Sequence, residues 1–311
     1  MADDKALSAV LLIVGATCSG KTEVSLHIAE RLKGEIISAD SRQIYKGFRI
    51  GTAQPDADER KRVRHHLVDF LDPTERYSAG RFMSDAREAL SSITARGMKP
   101  IVVGGTGLYI EALVSGIFQE PARDEALRAA LRKRAESEGL SFLHEELGRV
   151  DPDSARRIHV NDAKRITRAL EIYYLTGRKL SELQILRKPV VESSILIFLN
   201  RQKDDLQRRI RERVMGMISS GLVDEVRGLL DAGVPADAPA FESLGYGAAV
   251  DHLQGRISLS EMTERIEKET RNLAKRQLTW FKKMKDLTPV EVKEGEPPGA
   301  ISSRIMDILA R

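Results

Sequence analysis

Residues 15–22 read Gly15-Ala16-Thr17-Cys18-Ser19-Gly20-Lys21-Thr22, a complete G-x-x-x-x-G-K-[ST] phosphate loop. An apolar run, Ala9-Val10-Leu11-Leu12-Ile13-Val14, precedes it, and residues 23–32 follow with helix-like spacing. Strand, glycine loop and helix is the context in which this pattern makes a site. The glycines let backbone N–H groups face an anion without a Cβ in the way. A helix start adds its partial positive charge. Lys21 can reach terminal phosphate oxygens, and Thr22 can hold Mg²⁺. The loop is therefore expected to bind a ligand carrying a diphosphate or triphosphate.

Outward from the loop, short apolar runs at 9–14, 35–38, 99–103 and 194–199 read as strands covered on both faces. Helical spacing follows the first of them and returns at 78–96, before the third. Strands alternating with helices predict an α/β fold with a parallel sheet. Pro289-Val290-Glu291-Val292 reads as a late edge strand. Segment 120–190 breaks the alternation. Its apolar residues recur at helical spacing: Leu127, Leu131, Ala135; Leu140, Phe142, Leu143, Leu147; Ile166, Leu170, Tyr173, Tyr174. It reads as a helical insertion between two sheet strands, punctuated by Pro121, Pro152 and Pro189. After residue 201 the chain is mostly helical, with a loop at 233–239.

The 311 residues, 41% hydrophobic and 31% charged, suffice for a soluble protein with a substantial core. No apolar run approaches a membrane span, so no membrane partner is expected. Met1-Ala2-Asp3-Asp4-Lys5 is too short and acidic for a signal peptide. Cys18 is the sole cysteine, which excludes an internal disulfide. Together these predict a cytoplasmic protein. The net charge is only +4, with a pI near 9.1. Lys and Arg concentrate at 156–168, 201–213 and 265–285. Any one of these stretches alone would read as a solvated helix face.

Other residues can carry chemistry. Asp40 directly follows the second strand, at the carboxyl edge where parallel sheets bind ligands. It can bind Mg²⁺ through water, cap a helix or act as a base. Gly104-Gly105-Thr106-Gly107 forms a second glycine turn at the same edge, with a hydroxyl on Thr106. Neither the third strand, which ends in Gly104-Gly105, nor the fourth, which ends in Asn200-Arg201, carries the acidic Mg²⁺ ligand of an ordinary ATPase. His65-His66 with Asp69 and Asp72 lacks zinc-ligand spacing and reads as a packing or substrate-contact loop. Cys18, inside the loop, reads as a small filler in a positive field.

These blocks resemble the bacterial tRNA dimethylallyltransferases, also called tRNA isopentenyltransferases. The resemblance covers nearly the whole chain. It is carried by GATCSGKT at 15–22, SADSRQIYKGFRIGTAQP at 38–55, HHLVDFLDPTERYSAGRF at 65–82, GGTGLY at 104–109, NDAKRITRALEIYYLTG at 161–177 and ETRNLAKRQLTWF at 269–281. It implies transfer of a dimethylallyl group from dimethylallyl diphosphate to N6 of the adenosine immediately 3′ of the anticodon, in tRNAs reading codons that begin with U. It further implies a P-loop NTPase-like core, 1–119 and 191–311, and an all-helical insertion, 120–190, that grips the anticodon stem-loop.

By the same resemblance, residues Gly15, Ala16, Thr17, Cys18, Ser19, Gly20, Lys21 and Thr22 hold the donor's diphosphate, with Mg²⁺ at Thr22. Arg213 is a further phosphate clamp, with Arg209 as its competitor. Asp40 accepts the amine's proton and Thr106 positions the amine. Asp40, Ser41, Arg42, Gln43, Thr106, Arg128, Lys164, Arg165, Ile166, Thr167 and Arg168 match positions that touch tRNA. The adenine must leave its stack to react. The protein is expected to act as a monomer. This chain departs from the family's usual G-P-T-A-S-G-K-T at Ala16 and Cys18, and from its I-H-P-N-D at Val160. Around Gly245-Tyr246 it lacks the basic residues many relatives carry, so that segment is a weaker tRNA contact. The alternatives are an adenylate isopentenyltransferase acting on free AMP or ATP, a P-loop small-molecule kinase, and a non-catalytic tRNA-binding protein.

Overall fold

Six strands pair in parallel in the order β3-β2-β4-β1-β5-β6: β1 (Val10–Gly15), β2 (Gly34–Ser38), β3 (His65–His66), β4 (Lys99–Gly104), β5 (Ser194–Arg201) and β6 (Leu287–Val292). This computed structural model describes residues 9–118 and 124–310. The N-terminal Met1-Ala2-Asp3-Asp4-Lys5 and Pro121 lie outside them.

Strand β1 sits between β4 and β5, with Leu12 opposite both Val102 and Leu196. Leu12, Ile13 and Val14 are fully buried, which explains the unbroken apolar run. Alternate residues of β5 face opposite layers. Ile197 and Leu199 join a cluster with Val24, Ile28, Ile301 and Ile305, so helices Lys21–Leu32 and Pro298–Leu309 cover that face. Phe198 turns the other way and meets Phe281 of the long helix Leu259–Phe281, ring centroids 5.9 Å apart. Strands β2, β3 and β4 lie on one side of β1 and β5 and β6 on the other. The loop after β1 thus opens at the switch point where α/β sheets bind ligands.

Two details differ from the sequence reading. His65-His66 is a two-residue edge strand paired with β2, not a loop. Its pattern was invisible because neither residue is apolar. The late strand begins at Leu287, before Pro289, and forms the other edge. Proline is tolerated there because an edge strand leaves some N–H groups unpaired.

The chain divides into two compact units. One runs to Val114 and resumes at Val191; the other is Ser115–Val190. The second contains helices Glu125–Ser137, Leu140–Val150, Pro152–Arg157, Ala163–Thr176 and Leu180–Ile185, and no strand among its described residues. Asp124, Asp151 and Asp162 cap three of these helices by accepting from N–H groups of their first turns. Leu131, Leu143, Leu147, Ile166 and Leu170 form its core. Phe142 and Tyr174, which share the helical periodicity, are nevertheless exposed; the Arg134 guanidinium lies 5.7 Å from the Phe142 ring centre.

Candidate active site

The phosphate loop is shaped for an anion by what it omits. Gly20 takes a left-handed φ of +94° and begins helix Lys21–Leu32 without a side-chain cap. By contrast, Asp56, Ser78 and Ser258 each cap their own helices. The first-turn N–H groups after Gly20 are left for a ligand. Lys21 Nζ lies against the loop, donating to the Gly15 and Ala16 carbonyls at 3.0 and 2.7 Å. Burial pushes its pKa down to about 8; the charge on Asp40 opposes that shift and Arg213 adds to it.

Arginines from the end of β5 and helix Lys203–Ser219 hold the loop from behind. Arg201 Nε donates to the Ser19 carbonyl at 3.3 Å and pairs with buried Asp205. Arg209 Nε donates to the Cys18 carbonyl at 3.0 Å. Arg213 Nη1 donates to Thr17 Oγ1 at 3.2 Å and lies 3.9 Å from Cys18 Sγ. Both competitors for the phosphate clamp therefore reach the loop. Arg209 is engaged with backbone, whereas Arg213 meets a hydroxyl that a ligand oxygen can replace.

Asp40 follows β2 and faces the same cavity as the cradle. Its Oδ1 accepts from the Arg42 N–H at 2.8 Å. Thr106 ties this segment to the second glycine turn: its N–H donates to the Ala39 carbonyl at 3.2 Å, and its Oγ1 accepts from the Ser41 N–H at 3.0 Å. Gln43 accepts from Ser38 Oγ at 2.9 Å and donates to the Ala53 carbonyl at 2.7 Å. Residues 49–53 close the wall. The Glu225 carboxylate accepts from the Arg49 and Ile50 N–H groups and, at 2.6 Å, from the Tyr246 hydroxyl. That hydroxyl accepts in turn from the Gly51 N–H at 3.2 Å. Tyr246 is fully buried, so its side chain is a strut of the cavity wall and not an RNA contact.

The cradle and the Asp40 segment border a cavity of about 420 Å³. Of the expected site residues, Thr17, Cys18, Gly20, Lys21, Thr22, Asp40, Arg42, Gln43 and Arg213 line it. Gly15, Ala16, Ser19, Ser41 and Thr106 do not line it. A second hollow, bordered by Arg49, Arg60 and Asp69, shares Ala53, Arg213 and Met217 with the first.

The remaining expected tRNA residues belong to the helical unit. Lys164 and Arg165 are exposed. Ile166 is fully buried in that unit's core, so its side chain cannot touch RNA. Arg128 and Arg168 both donate to Glu171, a fully buried carboxylate, at 2.7–2.9 Å. His66 Nε2 pairs with buried Glu35 at 2.5 Å, and His65 Nδ1 meets the Val63 carbonyl at 2.8 Å. The histidine pair is thus structural. Among the described residues no cluster of three or more His, Cys, Asp or Glu could hold a metal.

Sequence reasoning missed Arg201, Glu225 and Gln277. Gln277 accepts from the Thr17 N–H at 2.8 Å and donates to the Gly105 carbonyl at 2.9 Å. A signal existed for it. Ile266, Thr270, Leu273 and Gln277 form one helical stripe facing the cavity, and a carboxamide in such a stripe needs polar partners.

The profile of the IPP transferase family matches residues 43–284. The chain belongs to this family. A tRNA dimethylallyltransferase of Geobacter metallireducens is 43% identical, with 96% of each chain covered. One from Geobacillus thermodenitrificans is 44% identical, covering 96% of this chain and 94% of its own. Among solved structures, a tRNA isopentenylpyrophosphate transferase of Bacillus halodurans aligns with TM-score 0.70 at 36% identity, covering 97% of both chains. A eukaryotic dimethylallyltransferase acting on tRNA aligns with TM-score 0.80 at 28% identity, covering 96% of this chain and 77% of that one. No described helix is long and apolar enough to cross a membrane.

Proposed function

We propose that this member of the IPP transferase family moves a dimethylallyl group from dimethylallyl diphosphate to N6 of the adenosine immediately 3′ of the anticodon, in tRNAs reading codons that begin with U. One observation carries the reading: a single cavity is lined both by an anion cradle and by a carboxylate, Asp40, whose segment is tied to the Thr106 turn. The names of the relatives support both the transferase chemistry and tRNA as acceptor.

The chemistry follows from that arrangement. As the C–O bond of the donor breaks, charge accumulates on the departing diphosphate. Lys21, Arg213 and the uncapped N–H groups after Gly20 are placed to neutralise it. The exocyclic amine is a weak nucleophile. Asp40 takes its proton as the N–C bond forms, and Ser41 and Thr106 hold the segment bearing Asp40 in register. Thr22, exposed at the cavity mouth, suits Mg²⁺, which keeps several waters and binds chiefly through substrate phosphates. When bound, the ion would supply further charge neutralisation for the leaving group. The adenine enters unstacked, and the basic helical unit supplies phosphate contacts that set register. The protein works as a monomer in the cytoplasm in this reading.

The test is incubation with radiolabelled dimethylallyl diphosphate, Mg²⁺ and either unmodified tRNA, AMP or ATP. Label is expected in tRNA. Label only in AMP would make the protein an adenylate isopentenyltransferase, and movement of the ATP γ-phosphate without prenyl transfer would make it a kinase.

A further inference from the structure

In the proposed reaction two substrates meet in this cavity, and the Gln277 side chain spans the backbones that line it on the donor and acceptor sides. Gln277 takes the Thr17 N–H of the phosphate loop on its carbonyl oxygen and gives its amide N–H to the Gly105 carbonyl, one residue before Thr106. The contact is close because Gly105 has no side chain: a Cβ there would lie 2.4 Å from Gln277 Nε2. One turn further along the same helix, Trp280 packs on Gly107, where a Cβ would lie 2.3 Å from the ring. The glycine turn is therefore pressed against helix Leu259–Phe281 at two points, and the phosphate loop at one.

We propose that Gln277 is a positioning residue that sets the spacing between the diphosphate cradle and the Asp40–Thr106 side. This rests on the function proposed above for what the two sides bind. The amide leaves the anion's charge partners, Lys21 and Arg213, untouched. Its loss lets the cradle and the glycine turn drift relative to one another. A displacement near 1 Å in a bisubstrate site costs on the order of 10²-fold in rate.

The site carries its own reporter, since Trp280 is the sole tryptophan of the chain. Inorganic pyrophosphate bound in the cradle pulls on Thr17 and, through Gln277 and the glycine turn, on the surroundings of Trp280. Wild type should therefore show a saturable change in tryptophan fluorescence with pyrophosphate. Gln277→Met, which keeps length and bulk but makes neither hydrogen bond, should bind pyrophosphate within about threefold of wild type by calorimetry yet lose the fluorescence change. Its kcat for tRNA prenylation should fall about 10²-fold with little change in donor KM. Gln277→Glu keeps the acceptor for Thr17 but cannot donate to Gly105, so its turnover should also stay low. An unchanged kcat in either variant, or a fluorescence response retained in Gln277→Met, overturns the proposal. Were wild type to prenylate no tRNA while the pyrophosphate response still required Gln277, the coupling would stand and the assigned reaction would fall.

Discussion

At the scale of single residues, the two walls of the cavity make separable demands. Asp40 acts on the acceptor, so Asp40→Asn should lower kcat by about 10²-fold or more while leaving tRNA affinity near wild type. Rapid-quench turnover alongside filter binding measures both, and parallel loss of rate and affinity would remove Asp40 as the base. Lys21 acts on the donor. Its pKa near 8, set mainly by burial, means that the free enzyme loses this charge as pH rises through 8. A bound diphosphate favours the charged form, so donor affinity should be nearly flat below pH 7 and weaken about tenfold from pH 7 to pH 9. Calorimetric titration of pyrophosphate across that range should show the slope in wild type and its absence in Lys21→Met.

At the scale of elements, helix Lys203–Ser219 brings Arg209 and Arg213 to the loop from one face, four residues apart. Their partners separate their roles. Arg209 braces the Cys18 carbonyl, while Arg213 rests on a hydroxyl and lines both hollows. Arg213→Ala should weaken pyrophosphate binding about 10- to 100-fold, the worth of a charge-assisted hydrogen bond, whereas Arg209→Ala should chiefly lower the melting temperature. Equal effects on binding would deny the distinction. Sequence alone could not make it, because both arginines share composition and spacing, and the deciding atoms are almost 200 positions away. Separations of 260 and 195 positions likewise hid Gln277 from Thr17 and Tyr246 from Gly51. What was legible was local. The apolar runs of β1 and β5 declare strands buried on both faces, and Gly15–Thr22 declares its own loop. A two-residue strand of histidines carries no periodicity to read. The Gly245-Tyr246 block matches an RNA-contact segment in sequence, but its tyrosine is buried with the hydroxyl on Glu225.

At the scale of the whole molecule, the helical unit has its own core and its own buried charge. Burial pushes the Glu171 carboxyl up, but hydrogen bonds from Arg128, Arg168 and the Asp124 N–H outweigh that and hold its pKa at about 2. A depressed folded value adds stability that is complete above the unfolded carboxylate range, about 4.3, and is lost as pH falls toward 2. Glu171→Leu removes the buried carboxylate on which two guanidinium groups converge and should cost the unit about 3 kcal/mol. Calorimetry should then show an early transition, one that acid moves less than in wild type. This fixes how RNA contacts must be tested. Changing Arg128 or Arg168 disturbs folding and binding together, so their effect on affinity is ambiguous. Lys164 is exposed and outside the Glu171 cluster. If the unit grips a stem-loop through phosphates, Lys164→Ala should leave the melting temperature unchanged, weaken tRNA binding, and reduce the slope of log affinity against log salt by about 0.7–0.9, one released counterion's worth. A slope identical to wild type would place the RNA on another face of the unit.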